Sequence, residues 1–472
     1  MAARGSAASR GRRWLAGGLA VACAWSGTAL GAEGFEEDAR RTLEALLRVD
    51  TSHGNETAAL RPIAARLEQA GVKVELLEAA PGRANLVARL PGTGGKRPLL
   101  LGAHVDVVPV EGQPWTSPPF TPTEREGYLV ARGINDDKAM AAGFVAIVLE
   151  AARQKVRLER DLLLVLTADE ERGGAEGMGW LVEHRPELRE AEYMLGEDGD
   201  VQLGPGGEAV QTLWVDVDEK ASWSFRLVAK GRGGHSSRPW SDTDPVAQLA
   251  RALLRVAGHR WPWRVLPVVQ GSLRAMAGRS APALAAALTH AAEGAPSPAD
   301  EQLLAADPLL NALTRSTCVA TMLQAAPAAN ILPDTAEATV NCRLLPDEVP
   351  EAFLAELQRV VGDPEVRVTP LGASPRLPGA LGVDQAFLAA VRRVAATQWP
   401  GAEVVPTIAT GGSDARFLRR YGVKAFGVGR LPGTAEELRL GHAGHGADER
   451  RLVRWIPGYF RYLKALVVEV AR

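Results

Sequence analysis

The stretch that decides the fold is Pro98-Leu-Leu-Leu-Gly-Ala-His104-Val-Asp106. Its apolar run predicts a strand that is buried on both faces, as in the middle of a parallel sheet. The run ends in His104 and Asp106, which point to the same side of an extended chain because they are two residues apart. The carboxyl end of such a strand faces a ligand crevice. The pair therefore predicts a metal-binding histidine and a carboxylate that orients it.

Paired acidic residues follow three further predicted strands or loops: Asp136-Asp137, Glu170-Glu171 and Glu197-Asp198. The first pair precedes a helix, where an aspartate can simply cap the helix N-terminus. The second pair ends another buried strand, where adjacent carboxylates are costly unless a cation compensates them, although a solvated acidic turn is the alternative. Each pair alone has an ordinary explanation, and their common position at element ends favours a shared site.

Histidines join this pattern at only two places. The stretch Leu440–Arg450 contains His442 and His445, and His104 ends the first strand. We interpret the others, apart from one discussed below, as structural or surface residues: His53, His184, His259 and His290. Histidine and carboxylate donors without cysteine suit a hard-to-borderline divalent metal ion.

Composition limits the class of protein. The chain has 472 residues, of which 46% are hydrophobic and 23% charged, so it can form two or three domains. The net charge of -2 leaves no polybasic surface, which argues against a nucleic-acid partner.

The first 32 residues are predicted to be a signal peptide. Arginines up to Arg13 precede an apolar run from Trp14 to Trp25, and small residues lead to Ala32. The run is shorter than the ~20 apolar residues of a membrane span, so the mature chain is predicted to be exported and without a membrane anchor. A lipoprotein site at Cys23 is the alternative.

The other two cysteines, Cys318 and Cys342, fall on predicted neighbouring strands. A disulfide requires a particular geometry that a sequence does not show. We therefore interpret them as buried thiols, with a disulfide in an oxidising compartment as the alternative.

The order of predicted elements indicates a domain inserted into another. Strands alternate with helices up to Leu195, which predicts an α/β sheet with helices on both faces. From residue 218 the order β-α-β-β-α-β predicts a ferredoxin-like domain, interrupted by an alanine- and proline-rich helical insertion between Gly258 and Thr317. The α/β pattern returns at Gln385. We predict a signal peptide at 1–32, a catalytic domain in two segments at 33–217 and 371–472, and an inserted lid or dimerisation domain at 218–370.

Five motifs in this order resemble the co-catalytic zinc metallopeptidase and amidohydrolase family that includes aminoacylase, carboxypeptidase G and succinyl-diaminopimelate desuccinylase. They are His104-Val-Asp106, Arg132-Gly-Ile-Asn-Asp136-Asp-Lys138, Asp169-Glu170-Glu171, Gly234-His235-Ser-Ser237 and His445-Gly-Ala-Asp-Glu-Arg450. The chain length, the insertion and Asp218-Glu-Lys220 look most like the branch of carboxypeptidase S and the N-fatty-acyl amino-acid hydrolase.

The resemblance implies two zinc ions per chain, with cobalt or manganese as possible substitutes. Its ligand assignment is His104 and Glu197 on one ion, Glu171 and His445 on the other, and Asp136 bridging both. Asp198 remains the alternative to Glu197, while the motif match favours His445 over His442.

The resemblance also implies the catalytic roles. Asp106 would orient His104, and Glu170 would be the general base that activates a metal-bridging water.

Further residues match the substrate side of this family. Without the resemblance, His235 would be an incidental turn residue and Arg343 a surface ion pair. With it, the inserted domains would form a homodimer in which His235 reaches the partner's active site. Asn330 and Arg343 would contact substrate, since a guanidinium can bind a carboxylate in a bidentate manner. Backbone amides at Gly412 and Ser413 could meet the same carboxylate.

The resemblance therefore implies a di-zinc hydrolase of peptides or N-acyl amino acids that carry a free carboxylate. The alternative is a metal-binding scaffold or receptor of the same fold without catalysis. Glu170 separates the two, because an inactive relative is expected to lose its base before its ligands.

Overall fold

The computed structural model of the chain describes residues 29–372, 375, 382–439 and 444–472. Most of the predicted signal peptide, including Cys23, lies outside the described residues, as does His442. In the described ranges, no helix combines the length and the apolar character needed to span a bilayer.

The first segment builds most of a large sheet. Its elements are α1 Ala29–Leu47, α2 Glu56–Gln69, β1 Lys73–Ala80, β2 Arg83–Leu90, β3 Leu99–His104, β4 Thr123–Arg125, β5 Tyr128–Val130, α3 Lys138–Arg153, β6 Leu162–Thr167, α4 Met178–His184, β7 Tyr193–Gly196, β8 Asp200–Leu203 and β9 Val210–Glu219. β3 pairs in parallel with β6 and with β7. Its residues Leu99, Leu100 and Leu101 are fully buried, as expected of a strand covered on both faces.

The middle segment forms a separate four-stranded sheet with helices. Its elements are β10 Ala221–Lys230, β11 Gly234–His235, α5 Pro245–Gly258, α6 Pro267–Ala277, α7 Pro282–Ala292, α8 Pro298–Ala305, α9 Pro308–Thr314, β12 Thr317–Gln324, β13 Ile331–Leu332, β14 Thr335–Leu344, α10 Pro350–Val361 and β15 Val366–Leu371. The sheet order is β12-β14-β10-β15, all antiparallel. Apolar residues of α5 and α10 share one buried cluster with it, which is the ferredoxin-like arrangement.

Helices α6 to α9 form the predicted insertion between two elements of this plan. Each begins with a proline in its first turn, where the missing N–H costs no intrahelical hydrogen bond. Ser297 and Asp307 cap two of them through side-chain oxygens. The helices enclose a small core of their own that includes Leu345 and Ile408, so the insertion joins the two domains.

The last segment returns to the large sheet. Its elements are α11 Gln385–Gln398, β16 Glu403–Ala409, α12 Ala415–Arg419, β17 Lys424–Gly427, β18 Arg430–Thr434, α13 Ala435–Arg439, β19 Arg450–Leu452 and α14 Ile456–Ala471. The large sheet runs β1-β2-β6-β3-β7-β17-β9-β8-β18, and β16 pairs with β9. The predicted fold, a discontinuous α/β domain with an inserted ferredoxin-like domain, is confirmed.

Two features differ from the sequence interpretation. Strand β9 was not predicted, and it continues the large sheet to Glu219, past the predicted boundary at 217/218. The interpretation of Cys318 and Cys342 as thiols was wrong. They lie opposite each other on the antiparallel strands β12 and β14 and form a disulfide, because this register brings the two side chains together.

Candidate metal centre and active site

The predicted site residues meet because parallel strands end at the same edge of the sheet. His104 ends β3, while Glu170 and Glu171 lie in a turn that follows β6. Glu197 comes directly after β7. Neighbouring parallel strands present their carboxyl ends together, which is where open α/β sheets bind ligands.

The imidazole of His104 faces two carboxylates. Its Nε2 lies 3.0 Å from Asp136 Oδ1 and 3.2 Å from Glu197 Oε2. Burial opposes the charged imidazole, yet the charge of Glu197 and hydrogen bonds with Asp106 and Asp136 hold the pKa of His104 well above its ordinary value. One ring nitrogen can carry only one proton, so two carboxylate oxygens converging on it form a donor set for a cation.

A second donor set surrounds His445. Its Nε2 lies 3.1 Å from Glu171 and 3.5 Å from Asp136 Oδ2. Hydrogen bonds to these two carboxylates raise the pKa of His445 to about 10. Asp136 thus directs one oxygen toward His104 and the other toward His445, which is the position predicted for a bridging ligand.

The donor atoms are close enough to share ions. Those of His104, Asp136 and Glu171 lie within 4.8 Å of one another, and so do those of His104, Glu170 and Glu197. The second group includes Glu170, which the sequence assigns as the base, so Glu170 is also a geometric alternative as a ligand. Asp198 lies nearby, but it is Glu197 that contacts His104.

The electrostatics of the cluster fit a bound cation. Burial holds the pKa of Glu197 well above its ordinary value, despite the attraction of His104. Burial also raises the pKa of Glu170 to about 8. Ionised carboxylates at this density are unstable without compensating positive charge. Imidazole and carboxylate donors suit zinc, so the residues present fit the predicted metal.

Asp106 lies against both His104 and the turn that carries the predicted base. The His104 Nδ1 lies 3.0 Å from the backbone carbonyl of Asp106 and 3.5 Å from its carboxylate. The carboxylate also accepts hydrogen bonds from the backbone amides of Glu170 and Glu171, at 3.2 and 3.1 Å. Asp106 therefore fixes the turn that presents the predicted base as well as the ring of His104.

Glu449, in the last motif, joins that motif to the one that contains Asp136. Its fully buried carboxylate accepts hydrogen bonds from Arg132 at 2.9 Å and from the amides of Gly133 and Asn135 at 2.9 and 2.7 Å. These contacts attach the segment of His445 to the loop of Asp136. Two ligands that are far apart in sequence are thereby held in one place.

The predicted substrate-side residues divide into two groups. Arg343 and Gly412 lie close together, since a Cβ at Gly412 would be 4.0 Å from Arg343 Nη1. Ser413 lies beside them, but its amide and hydroxyl both donate to Glu219, at 3.1 and 2.6 Å, so its amide is already engaged within the protein. Asn330 and His235 are exposed on the inserted domain, and no hydrogen bond of theirs within the described residues reaches the metal centre.

A sequence comparison identifies the family of this site. The family model described as peptidase family M20/M25/M40 matches residues 100–469. The chain belongs to peptidase family M20/M25/M40. This membership agrees with the family resemblance predicted from the five motifs.

Several curated proteins are similar in sequence to this M20 chain. It is 27% identical to the N-fatty-acyl-amino acid synthase/hydrolase PM20D1 of Xenopus tropicalis over 346 residues, which cover 68% of this chain and 63% of that protein. It is 32% identical to the succinyl-diaminopimelate desuccinylase of Delftia acidovorans over 225 residues, 46% of this chain and 56% of that protein. Both matches span less than two thirds of the relative. Human aminoacylase-1 is 26% identical over 409 residues, 84% and 87% of the two chains.

Solved structures share the M20 fold. An M20 family metallo-carboxypeptidase of Sulfolobus solfataricus has a TM-score of 0.67 at 19% identity, covering 92% of this chain and 98% of the other. Human carnosine dipeptidase 1 has a TM-score of 0.65 at 14% identity, covering 93% and 97%. Identities this low establish the fold alone.

Two arginine side chains beside this M20 centre were not predicted from the sequence. Arg430 Nη1 lies 3.7 Å from Asp136 Oδ2 and its other nitrogen 3.5 Å from Asp200. Arg416 Nη1 lies 3.1 Å from Glu170 Oε1. Arg416 follows Gly411-Gly-Ser-Asp414, so its proximity to a noted loop was the only available signal.

Proposed function

We propose that this chain hydrolyses an amide bond next to a free carboxylate, in a small peptide or an N-acyl amino acid, with two zinc ions per chain. The observation that carries the proposal is the position of Asp136 between the paired donors His104/Glu197 and His445/Glu171. When bound, two zinc ions would lower the pKa of a water molecule and polarise the scissile carbonyl.

The chain's own residues would supply the proton transfers. Glu170 lies beside the donor cluster, and its carboxylate is largely buried with 11% of the side chain exposed. We assign it to remove a proton from the attacking water and to deliver it to the departing amine.

Arg343 would select the free carboxylate. It is half-buried, and no carboxylate of the described residues forms an ion pair with it within 4.0 Å. Burial is the main cause that lowers the pKa of Arg343, and repulsion from the nearby charge of Arg416 lowers it further. A guanidinium in that situation gains from an incoming anion, so a substrate carboxylate is the natural partner.

We further propose a homodimer through the inserted domain, with His235 acting in the partner's site. Edge strand β12 exposes Val319, Met322 and Leu323, each at least 60% accessible. Leu254 of the neighbouring helix α5 is 72% accessible. An exposed apolar edge strand invites pairing with another strand, and a second copy would cover it. In that arrangement His235 would stabilise the developing oxyanion.

Export remains part of the proposal. The Cys318–Cys342 disulfide supports an oxidising compartment, since such bonds persist mainly outside the cytosol. N-terminal sequencing of the mature protein tests this, and a start near residue 33 is expected. A lipid-modified Cys23 at the N-terminus would instead establish anchoring.

The function is tested by pairing metal analysis with kinetics. Wild-type protein should bind about two zinc ions and lose hydrolysis on chelation. Glu170→Ala should keep both ions and lose ~10²–10⁴-fold in kcat. Its neighbour Glu171→Ala and the bridging variant Asp136→Ala should lose metal instead.

Loss of metal from Glu170→Ala would make Glu170 a ligand and overturn the assigned roles. Zinc-loaded protein without turnover on any peptide or N-acyl amino acid of a broad panel would favour the scaffold alternative.

A further inference from the structure

Both the backbone and the side-chain carboxylate of Glu170 are held by hydrogen bonds. Its backbone amide donates to Asp106, and its Oε1 lies 3.1 Å from Arg416 Nη1. Within the described ranges, Arg416 is the one side chain that hydrogen-bonds or ion-pairs with this carboxylate. The orientation of the proposed base therefore depends on a single guanidinium.

Arg416 is itself fixed by a buried network. Its Nη1 also donates to the backbone carbonyl of Ser413 at 2.6 Å, and its guanidinium lies 4.6 Å above the ring of Phe417. Ser413 in turn donates twice to Glu219, which pairs with Arg419 at 2.8 Å. A guanidinium held on this many sides can act as a rigid support rather than as a mobile surface charge.

We propose that Arg416 is a positioning residue, whose guanidinium holds the Glu170 carboxylate in the orientation that removes a proton from the attacking water. The inference rests on the proposed role of Glu170 as base. A general base must lie within about 2.6–3.2 Å of the atom that gives up the proton. A displacement of about 1 Å can cost 10²-fold in rate, so loss of this contact should reach the chemical step.

Arg343 provides the contrast that makes the proposal specific. Both guanidinium groups approach Gly412, where a Cβ would lie 3.4 Å from Arg416 Nη1 and 4.0 Å from Arg343 Nη1. Arg416 already has a carboxylate partner in Glu170, whereas Arg343 is assigned to the substrate. Substitution of Arg416 should therefore lower kcat, and substitution of Arg343 should raise KM.

The first experiment measures this split. Arg416→Gln should lower kcat about 10–100-fold with KM within about threefold of wild type. Arg416→Lys should recover part of the loss, because it keeps the charge without the planar fork. Arg420→Gln is the matched control. Arg420 follows the same short helix and pairs with Glu183 at 2.9 Å, so its removal should leave both constants unchanged.

The second experiment is a double-mutant cycle with Glu170→Gln. If Arg416 acts through Glu170, Arg416→Gln should cost less than about twofold in kcat once the carboxylate is gone. Losses that multiply in the double variant would overturn the inference, as would an Arg416→Gln effect confined to KM. Arg416→Lys passes through the same cycle, so a poorly folded Arg416→Gln would still leave a decisive measurement.

Zinc content and melting temperature accompany every variant, and wild-type values are expected. Failure of the inference is separable from failure of the proposed function. Full activity in Glu170→Gln would rule out Glu170 as the base, whereas a strongly reduced but measurable kcat in Glu170→Gln with multiplying Arg416 losses would rule out only the positioning role.

Discussion

Removing the charge of Glu56 should favour the folded protein more at alkaline pH than at acid pH. The side chain is fully buried at the start of α2, and neither carboxylate oxygen has a hydrogen-bond partner among the described residues. Its nearest cation, Arg83, lies 3.8 Å away and is shared with Asp169 and Glu176, each at 3.1 Å. Burial raises the pKa of Glu56 to about 7, against an ordinary value of 4.5.

The sign follows from which state binds the proton. Between pH 4.5 and 7 the folded chain keeps the Glu56 proton and the unfolded chain releases it, so stability falls as pH rises through this window. The cost is less than about 1 kcal/mol at pH 5 and about 3 kcal/mol at pH 8. Glu56→Gln removes that titration. A buried amide has its own desolvation cost of about 1–3 kcal/mol, but this cost is the same at both pH values.

The assay is calorimetric melting of metal-free wild type and Glu56→Gln at pH 5 and pH 8, so that zinc binding does not vary with pH. The difference in Tm between the two proteins should increase by several degrees in favour of Glu56→Gln from pH 5 to pH 8. Glu176→Gln is the control, because its carboxylate shares Arg83 but is 44% exposed. It should give no such change with pH. An equal Tm difference at both pH values for Glu56→Gln would refute the reasoning.

Two further predictions concern the assembly and the site. His235→Ala and Glu170→Ala should each be nearly inactive, but a mixed dimer has one site with both defects and one with neither, so subunit exchange should restore up to about half the activity per mixed dimer; exchange without recovery would confine His235 to its own chain. Glu449→Gln leaves buried Arg132 without its charge partner, which should destabilise the protein by about 3–5 kcal/mol and weaken zinc binding in a chelator competition. Unchanged zinc affinity would contradict the proposed link between the Asp136 and His445 segments.

The strand ends of the site were predictable because local pattern and topology agree there. Each of two leucine-rich runs, one ending at His104 and one shortly before Glu170, predicts both a buried strand and the polar residues at its carboxyl end. Strand β9 was missed because Asp216, Asp218 and Glu219 make it read as polar. Two of these carboxylates accept hydrogen bonds from residues outside the strand. Asp216 accepts from the amide of Gly199, and Glu219 accepts from the hydroxyl of Ser413, which is far away in sequence. When a buried carboxylate has its hydrogen-bond partner elsewhere in the chain, the residues next to it in sequence do not indicate that it is buried.

The contacts of Arg416 and Ser413 were also not predictable from the sequence. The loop Gly411–Asp414 was noted for its amides, yet a sequence cannot show that Glu219 engages the Ser413 amide or that Arg416 turns toward Glu170. The disulfide was misjudged for a similar reason. Cys318 and Cys342 are 24 residues apart, and only the strand register decides whether their side chains meet.

The acidic residues around the centre fall into two groups, those that face its histidines and those that hold the surrounding loops. Asp136, Glu171 and Glu197 converge on the histidines of the centre. A second set contacts backbone amides of the loops that carry them, with Asp106 holding the Glu170-Glu171 turn and Glu449 holding the loop before Asp136. Each such carboxylate is buried and accepts hydrogen bonds from backbone amides, and the charge of Glu449 is also offset by the guanidinium of Arg132. Variants of the first set should therefore lose metal directly. Variants of the second should lose it through displaced loops, together with folding stability.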